Sequence, residues 1–249
     1  MASVNRFNHI GFEDFRRFAQ DESMSNYERI GFPDSYRQGY EAAIHEDICR
    51  KLTNLRAADR KVVDIGPGCS DLPKMLISLC GSRSHSLTLI DSQEMLNLLD
   101  DAPWVEKVGA MYPRCRDWIA HNAGKVDVIL CYSVLHYIFV DVGFFDFLDS
   151  SLSLLAPGGQ MLIGDIPNVS KRKRFFASAT GVRFHKDYMK TDEAPVVEFN
   201  TIEPDQIDDA VVMALIQRAR SQGYDAYVLP QAPDLPLSNR REDILITRP

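Results

Sequence analysis

Lys61-Val62-Val63-Asp64-Ile65-Gly66-Pro67-Gly68-Cys69-Ser70-Asp71-Leu72-Pro73 joins a buried strand, a glycine turn and the start of a helix in one run. Val62, Val63 and Ile65 are β-branched and nearly continuous, the pattern of a strand covered on both faces. Gly66 and Gly68 allow a sharp turn and leave room for a ligand to approach the main chain. Ser70 is placed to cap the helix that follows, and Pro73 falls in its first turn, where a missing N–H is tolerated. A strand, turn and helix start of this kind forms a ligand site at the carboxyl edge of a parallel sheet.

The flanking sequence repeats the alternation of strand and helix. The helix carrying Leu72, Met75, Leu76 and Leu79 is expected to stop at Gly81. A second strand, Ser86-Leu87-Thr88-Leu89-Ile90, ends in Asp91, whose carboxylate can accept both hydroxyl hydrogens of a ribose diol or cap a helix together with Ser92. Residues 105–111 read as a short third strand and 114–123 as a helix with Trp118 and Ile119. The fourth strand, Val126 to Cys131, runs on through Tyr132-Ser133-Val134-Leu135-His136-Tyr137 towards a helix with Phe144, Phe147, Leu148, Leu152 and Leu155. Pro157-Gly158-Gly159 turns the chain into a fifth strand over 160–164, ending in Asp165-Ile166-Pro167-Asn168. Residues 169–203 have no strong periodicity and read as an active-site cover or a disordered loop, the mix of aromatic and charged residues favouring the cover. A helix over 205–222 and two strands, 224–229 and 243–247, follow.

Before the glycine turn, Phe7, Phe12, Phe15, Phe18, Tyr27, Phe32 and Tyr36 make the first 38 residues aromatic-rich. Phe12, Phe15 and Phe18 recur at helical spacing, predicting an amphipathic helix that packs on the main domain, covers the ligand or makes a dimer contact. After the turn cluster Gly31-Phe32-Pro33-Asp34-Ser35, a second helix buries Ile44, Ile48, Leu52 and Leu55 and wets Glu46, Asp47, Arg50 and Lys51.

The bulk properties narrow the function classes. With 249 residues, 45% hydrophobic and 25% charged, the chain is an ordinary globular protein of one large α/β domain or a domain with an added cap. Its formal charge of -7 opposes nucleic acid phosphates. The five cysteines form no C-x-x-C pair and no His cluster accompanies them, which argues against a disulfide framework and a zinc site. Reduced thiols, an N-terminus (Met1 to Arg6) without an apolar signal core and no apolar run of membrane-span length predict a soluble, cytoplasmic protein.

A dinucleotide fingerprint would place a third glycine where Asp71 stands, and a carboxylate there opposes pyrophosphate. No Gly-Lys-Ser/Thr follows the strand, so a phosphate-binding P-loop is excluded. A nucleoside without phosphates fits better. At these positions the chain resembles a class I S-adenosylmethionine-dependent methyltransferase: 62–68 is similar to the family's first motif, Leu89-Ile90-Asp91 to its second, Val128 to Cys131 to its fourth and 157–163 to its fifth. The resemblance implies an α/β, Rossmann-like, doubly wound seven-stranded sheet with its last strand antiparallel. It implies a methyltransferase domain over 57–249 with an insertion at 168–204, preceded by an N-terminal helical cap over 1–56. S-adenosylmethionine is the implied cofactor, with Asp64, Gly66 and Gly68 along its methionine and ribose and Asp91 on the diol. Tyr132, where the fourth strand ends, joins this set. The acidic residue the family often carries after its third strand is missing; Gly109-Ala110-Met111 and Tyr112 stand there, leaving Met111 to contact adenine. Asp165-Ile166-Pro167-Asn168 is superficially like an amino-methylating motif but follows the fifth strand rather than the fourth, so that role is not carried over.

Methyl transfer from a sulfonium is an in-line displacement, and a hydroxyl acceptor also benefits from a base. His136 is the first candidate, with Asp165 and His185 behind it; His136 reads equally well as hydrogen-bonded in a helix cap or as packed on Phe144. Lys171-Arg172-Lys173-Arg174 is either a solvated face or a contact for phosphate or carboxylate of an anionic acceptor. Tyr27, Tyr36, Arg37 and Tyr40 either form the opposite wall or pack the N-terminal helices. A resemblance of 164–176 to methyltransferases of bacterial surface-sugar pathways favours a small, anionic or sugar-like acceptor. The competing readings are a protein or RNA methyltransferase and a fold that binds without turnover; a homodimer through the N-terminal helices is a further expectation.

Overall fold

The β-branched runs pair as one sheet. The computed structural model describes residues 10–201 and 203–249; Phe7 and the segment Met1 to Arg6 lie outside the described residues. Four helices, α1 (Phe12–Gln20), α2 (Asn26–Arg29), α3 (Asp34–Arg37) and α4 (Glu41–Lys51), and a 3-10 turn (Thr53–Arg56) precede β1 (Lys61–Ile65). Then come α5 (Asp71–Ser82), β2 (Ser86–Asp91), α6 (Gln93–Leu96), β3 (Val105–Gly109), α7 (Arg116–Asn122) and β4 (Val126–Tyr132). The remainder is α8 (Leu135–Asp141), α9 (Phe144–Leu154), β5 (Leu155–Pro167), α10 (Val169–Ala177), α11 (Ala179–Met189), α12 (Asp209–Ser221), β6 (Asp225–Pro230) and β7 (Arg241–Thr247).

The seven strands lie in the order β3-β2-β1-β4-β5-β7-β6, with β7 antiparallel to both β5 and β6. The order reverses between β1 and β4, which pair in parallel from Val62 opposite Val128 to Asp64 opposite Leu130. Ligands of such sheets sit at that switch point, beyond the carboxyl ends of the strands. Alternation along the strands feeds two cores. Val63, Ile65, Ile129 and Cys131 meet Phe147 and Leu148 of α9 and Leu215 and Ile216 of α12. Val62, Leu87, Leu89, Val128 and Leu130 meet Ile44 and Ile48 of α4 and Leu72 and Leu76 of α5.

Four local expectations are corrected. Residues 169–189 are two helices rather than an irregular cover: Asn168 Oδ1 accepts the Ser170 and Lys171 N–H groups, Ser178 Oγ accepts that of Gly181, and both starts are thereby capped. Phe175, Phe176, Phe184 and Tyr188 supply the mutual packing, and a Cβ at Gly181 would lie 1.9 Å from the Phe175 carbonyl oxygen, so the helices cross at glycine. Their periodicity is hidden because the packing residues are aromatic and sit among basic ones. Secondly, α5 runs through Gly81, which is bare because the Trp104 ring lies against it: a Cβ there would be 2.4 Å from Trp104 Cζ2. Ser70 holds the cap position without making the side-chain bond. Thirdly, the segment after β4 forms α8, a helix of its own. Finally, Asp47 and Lys51 are not on a wet face; Lys51 bridges the buried carboxylates of Asp47 and Asp243.

Candidate functional site

The turn after β1 is shaped by two left-handed residues, Gly66 (φ +69°) and Gly68 (φ +66°). A Cβ at Gly66 would lie 2.7 Å from Val134 Cγ2, and one at Gly68 2.6 Å from Ile30 Cγ2. Conformation and space therefore both demand glycine. The neighbouring strand locks this turn: Asp91 Oδ2 accepts the Gly68 N–H at 3.2 Å, and Oδ1 accepts the Ser92 N–H at 2.6 Å. Burial pushes the Asp91 carboxyl up to about 6, against the downward pull of those two bonds.

In front of this edge lies a cleft of about 920 Å³, its open mouth included. Gly66, Gly68, Ile90, Asp91, Met95 and Met111 line its floor and one end, while Phe12 and Phe15 of α1 and Tyr137 of α8 line the other side. Phe15 meets the Tyr137 ring edge-on at 4.8 Å, and Arg16 Nη2 ties α1 to α6 through Glu94 at 2.7 Å. The aromatic helix thus packs on the domain and covers the cleft at once. Its apolar side is used within the chain.

Of the residues assigned to the cofactor by sequence, Gly66, Gly68, Asp91, Met111 and Tyr132 line the cleft. Asp64 does not; it is buried in β1 behind the turn, where burial and the nearby Asp91 charge push its carboxyl up to about 8. It is a neutral acid at neutral pH.

Beside the cleft lies a much smaller pocket, about 260 Å³ with its open mouth included and with room for little more than a water molecule, lined by Phe32, Tyr36, Arg37, Tyr132, Asp165 and Leu237, among others. Phe32, Arg37 and Tyr132 line both spaces. Ser133 (φ +62°) and Asp165 (φ +56°), at the ends of β4 and β5, are left-handed non-glycine residues held together: Ser133 Oγ donates to Asp165 Oδ2 and the Ser133 N–H to the Gly164 carbonyl at 3.0 Å. Strained pairs of this kind need an over-determined surrounding. The Asp165 N–H donates to Asp243 Oδ1 at 2.8 Å, and that carboxylate also accepts from Lys51 Nζ (2.7 Å) and Gln231 Nε2 (3.1 Å). Arg241 Nη1 donates to the Asp165 carbonyl at 3.0 Å.

The three candidate bases are not brought together. Asp165 lines the smaller pocket. His136 is on α8 but lines neither cavity; its ring packs on Tyr137 at 3.9 Å rather than on Phe144, and its Nδ1 is buried without a hydrogen-bond partner. Burial pushes its imidazole down to about 3, so it is neutral. His185 lies on α11 in a separate open groove with Arg172, Lys173 and Glu203. The basic run is matched within the chain: Lys171 Nζ donates to the Arg241 carbonyl (2.5 Å), Arg172 and Lys173 pair with Glu203 (2.9 and 2.6 Å), and Arg174 pairs with Asp209. Of the aromatic wall residues, Tyr36 lines the smaller pocket, Tyr27 lies beside Glu41, and Tyr40 is exposed. Sequence reading misses Ser133, Gln231 and Asp243. The available signal is Asp243, a charged residue that interrupts the inward face of a closing strand.

No family model matches the chain, and no curated protein matches it. Solved structures do. The plantazolicin methyltransferase BpumL, in complex with a monoazolic desmethylPZN analog and SAH, superposes with a TM-score of 0.58 at 13% identity, covering 98% of each chain. A SAM dependent methyltransferase from Aquifex aeolicus gives 0.53 at 14% identity, over 90% of this chain and 97% of that one. The fold is that of the S-adenosylmethionine-dependent methyltransferases. A Haloferax volcanii complex with the Trm112 methyltransferase activator gives 0.57 at 13% identity, over 95% of this chain and 98% of the matched one. Among the described residues no helix is long and apolar enough to cross a membrane, and no cluster of His, Cys, Asp and Glu could hold a metal ion.

Proposed function

We propose that the cleft binds S-adenosylmethionine and that the protein transfers its methyl group to a small acceptor seated beside Asp165. The observation that carries this reading is Asp91: a buried carboxylate at the tip of β2, bonded to the Gly68 N–H and facing the same cleft. It has acceptor capacity left for a ribose diol. Ile90, Met95 and Met111 offer apolar contact for a base, while Asp71, outside the lining, would oppose a pyrophosphate at the α5 start. Asp91 and Asp141 give the cleft wall negative charge that suits a sulfonium.

When bound, the cofactor supplies an electrophilic methyl group. The chain aligns and shields the reactants: α1 and α8 cover the cleft with Phe12, Phe15 and Tyr137, and the Phe32–Arg37–Tyr132 group separates the larger space from the smaller. Asp165 is the candidate base that faces the smaller pocket, positioned to accept a hydrogen from a hydroxyl or amine of the acceptor. His136 and His185 lie off the two cavities and are assigned lesser roles, His136 behind Tyr137 and His185 in the groove of the insertion. Asp165 is recessed, only 7% exposed, which favours a small-molecule acceptor over a folded protein or RNA. The cysteines are all unpaired, which supports a cytoplasmic setting.

Calorimetric titration with S-adenosylmethionine, S-adenosylhomocysteine and NAD tests the cofactor. Binding of the first two and not of NAD is expected, and heatless titrations with both sulfur nucleosides at saturating concentration sink the reading. Incorporation of labelled methyl groups into metabolite extracts then separates an enzyme from a binding protein.

A further inference from the structure

The two helices of the insertion treat their charges differently. On α10 every cation of the run 171–174 is matched inside the chain. Beyond it the charges are unmatched: Arg183, Lys186 and Lys190 on one side, and Asp192, Glu193 and Glu198 on the other, form no ion pair among the described residues. α11 is cationic on balance, with Asp187 its one carboxylate, whereas residues 191–199 hold neither Lys nor Arg. Lys190, left-handed at φ +53°, ends the helix, so the cationic and acidic stretches flank a single turn. The same stretch exposes large apolar groups: Tyr188 (60%), Met189 (53%), Val196 (90%) and Phe199 (54%). The loop carrying the last two is tied down. Lys173 Nζ donates to Thr201 Oγ1 at 2.6 Å, Thr201 Oγ1 donates to the Glu198 carbonyl at 3.4 Å, and Glu203 holds Arg172 and Lys173. Between this loop and the two helices lies a groove of about 1020 Å³, its open mouth included, lined by Phe176, His185, Pro195 and Val197, among others.

We propose that the surface from Arg183 to Phe199 is where two copies of the chain pair about a two-fold axis. In such a contact each copy meets the same surface on the other. An axis near the Lys190 turn sets the cationic α11 of one copy against the acidic 192–198 stretch of the second, and the reverse. Met189, Val196 and Phe199 then close the middle and meet the facing groove. Aromatic side chains and Met are the groups in which interface cores are enriched. The order of charge selects the occupant. A polyanion would face three carboxylates and a chain of formal charge -7. A uniformly basic partner would be repelled by α11, whereas a second copy presents both signs in the matching order. The structural alternative is a solvated surface on which Lys186 and Lys190 complement the negative end of the α11 dipole. That accounts for the cations but not for apolar side chains held out on an anchored loop. The pairing is independent of what fills the cleft. Because Tyr188 lies beside Tyr36 of the smaller pocket, its seam borders the acceptor edge.

Sedimentation equilibrium on the full chain tests the pairing. Wild type at low salt is expected to reach twice the monomer mass and to dissociate as salt is raised. Two double variants reverse the charges: Lys186→Glu with Lys190→Glu makes both stretches acidic, and Asp192→Lys with Glu193→Lys makes both basic on balance. Each alone should raise the dimer dissociation constant by about tenfold or more. Mixed in equal amounts, the two should form a heterodimer of nearly wild-type affinity, because every facing stretch is again of opposite sign. A merely solvated surface gives neither the loss nor the rescue. Wild type that stays monomeric at low salt up to its solubility overturns the proposal. So does a dimer that both reversals leave intact, which puts the contact on another face, and so do two weakened variants that fail to recover on mixing. Should a reversal lower Tm, Phe199→Asp removes an apolar contact from the loop without touching α11. It is expected to yield monomer, and a dimer unchanged by it overturns the proposal as well.

Discussion

The cofactor edge and the acceptor edge of this sheet lie side by side but are built in opposite ways. At the cofactor edge, the decisive bond joins Asp91 to Gly68 across 23 residues, between two strands that are neighbours in sequence and in space. At the acceptor edge, Arg37 reaches Ser133 across 96 residues, Asp165 reaches Asp243 across 78 and Lys51 reaches Asp243 across 192. The first edge is a property of one local motif. The second exists only after β4, β5, β7 and the N-terminal helices have assembled, and it is fixed by buried charge instead of backbone shape. Failure of the two edges should therefore look different: loss of ligand at one, loss of the fold at the other.

The largest effect should come from breaking the ion triad. Lys51→Met leaves Asp47 and Asp243 buried without their cation, and removing one partner of such a group costs about 3–5 kcal/mol. For a chain of this size that is a drop in Tm on the order of 10 °C, read by calorimetry. Asp47→Asn is milder because Lys51 keeps Asp243. If Lys51→Met melts like wild type, the acceptor edge is not held by the triad and the contrast drawn above fails.

Next in size is Asp91→Asn, which should spare the fold and weaken S-adenosylhomocysteine binding by about 2 kcal/mol, the value of hydrogen bonds to a charged acceptor. The amide keeps one oxygen for one of the Gly68 and Ser92 N–H groups and loses the charge. A variant that loses Tm and keeps affinity would instead make Asp91 a structural lock on the turn.

Titration provides a third test, with opposite signs for binding and stability. The folded-state values of Asp64 (about 8) and Asp91 (about 6) both lie above the ordinary carboxylate value of 3.8. Between 3.8 and those values the ligand-free folded chain holds protons that the unfolded chain has released, so these two groups lower stability as pH rises through that window. Unliganded protein should gain Tm when taken from pH 8 to pH 6, and Asp64→Asn should flatten the change. Nucleoside affinity should move the other way, because the diol needs the Asp91 carboxylate: below about 6 it should fall by up to tenfold per pH unit, about 1.4 kcal/mol. Affinity and stability rising together on acidification would remove Asp91 as the diol acceptor.

The same contrast explains what the sequence discloses. Strands β1, β2, β4 and β5 and the glycine turn are legible because each is a short run with its own apolar pattern and punctuation. Met111 and Tyr132 follow from being at strand ends. Asp64 is misplaced because adjacency to a glycine turn does not say which side of the strand a residue faces; in β1 it faces inward, behind the turn. Asp47 and Lys51 look like a wet helix face, since their i,i+4 spacing is that of an ordinary surface pair, and only Asp243 from the last strand makes them a buried one. The helices over 169–189 escape notice because capping by Asn168 and Ser178, and not an aliphatic stripe, defines them.

The smallest expected effect tests the basic run, which sequence offers as an anion contact and which the fold places outside both cavities. Arg172 pairs with Glu203 at 2.9 Å on the surface, its side chain 45% exposed. Exposed pairs of this kind contribute about 0–1 kcal/mol, and Lys173 remains to hold Glu203. Arg172→Ala should therefore shift Tm by no more than about 2–4 °C and leave both nucleoside affinity and methyl transfer unchanged. A tenfold loss of acceptor affinity in Arg172→Ala would instead place an anion contact in the insertion, away from the cleft.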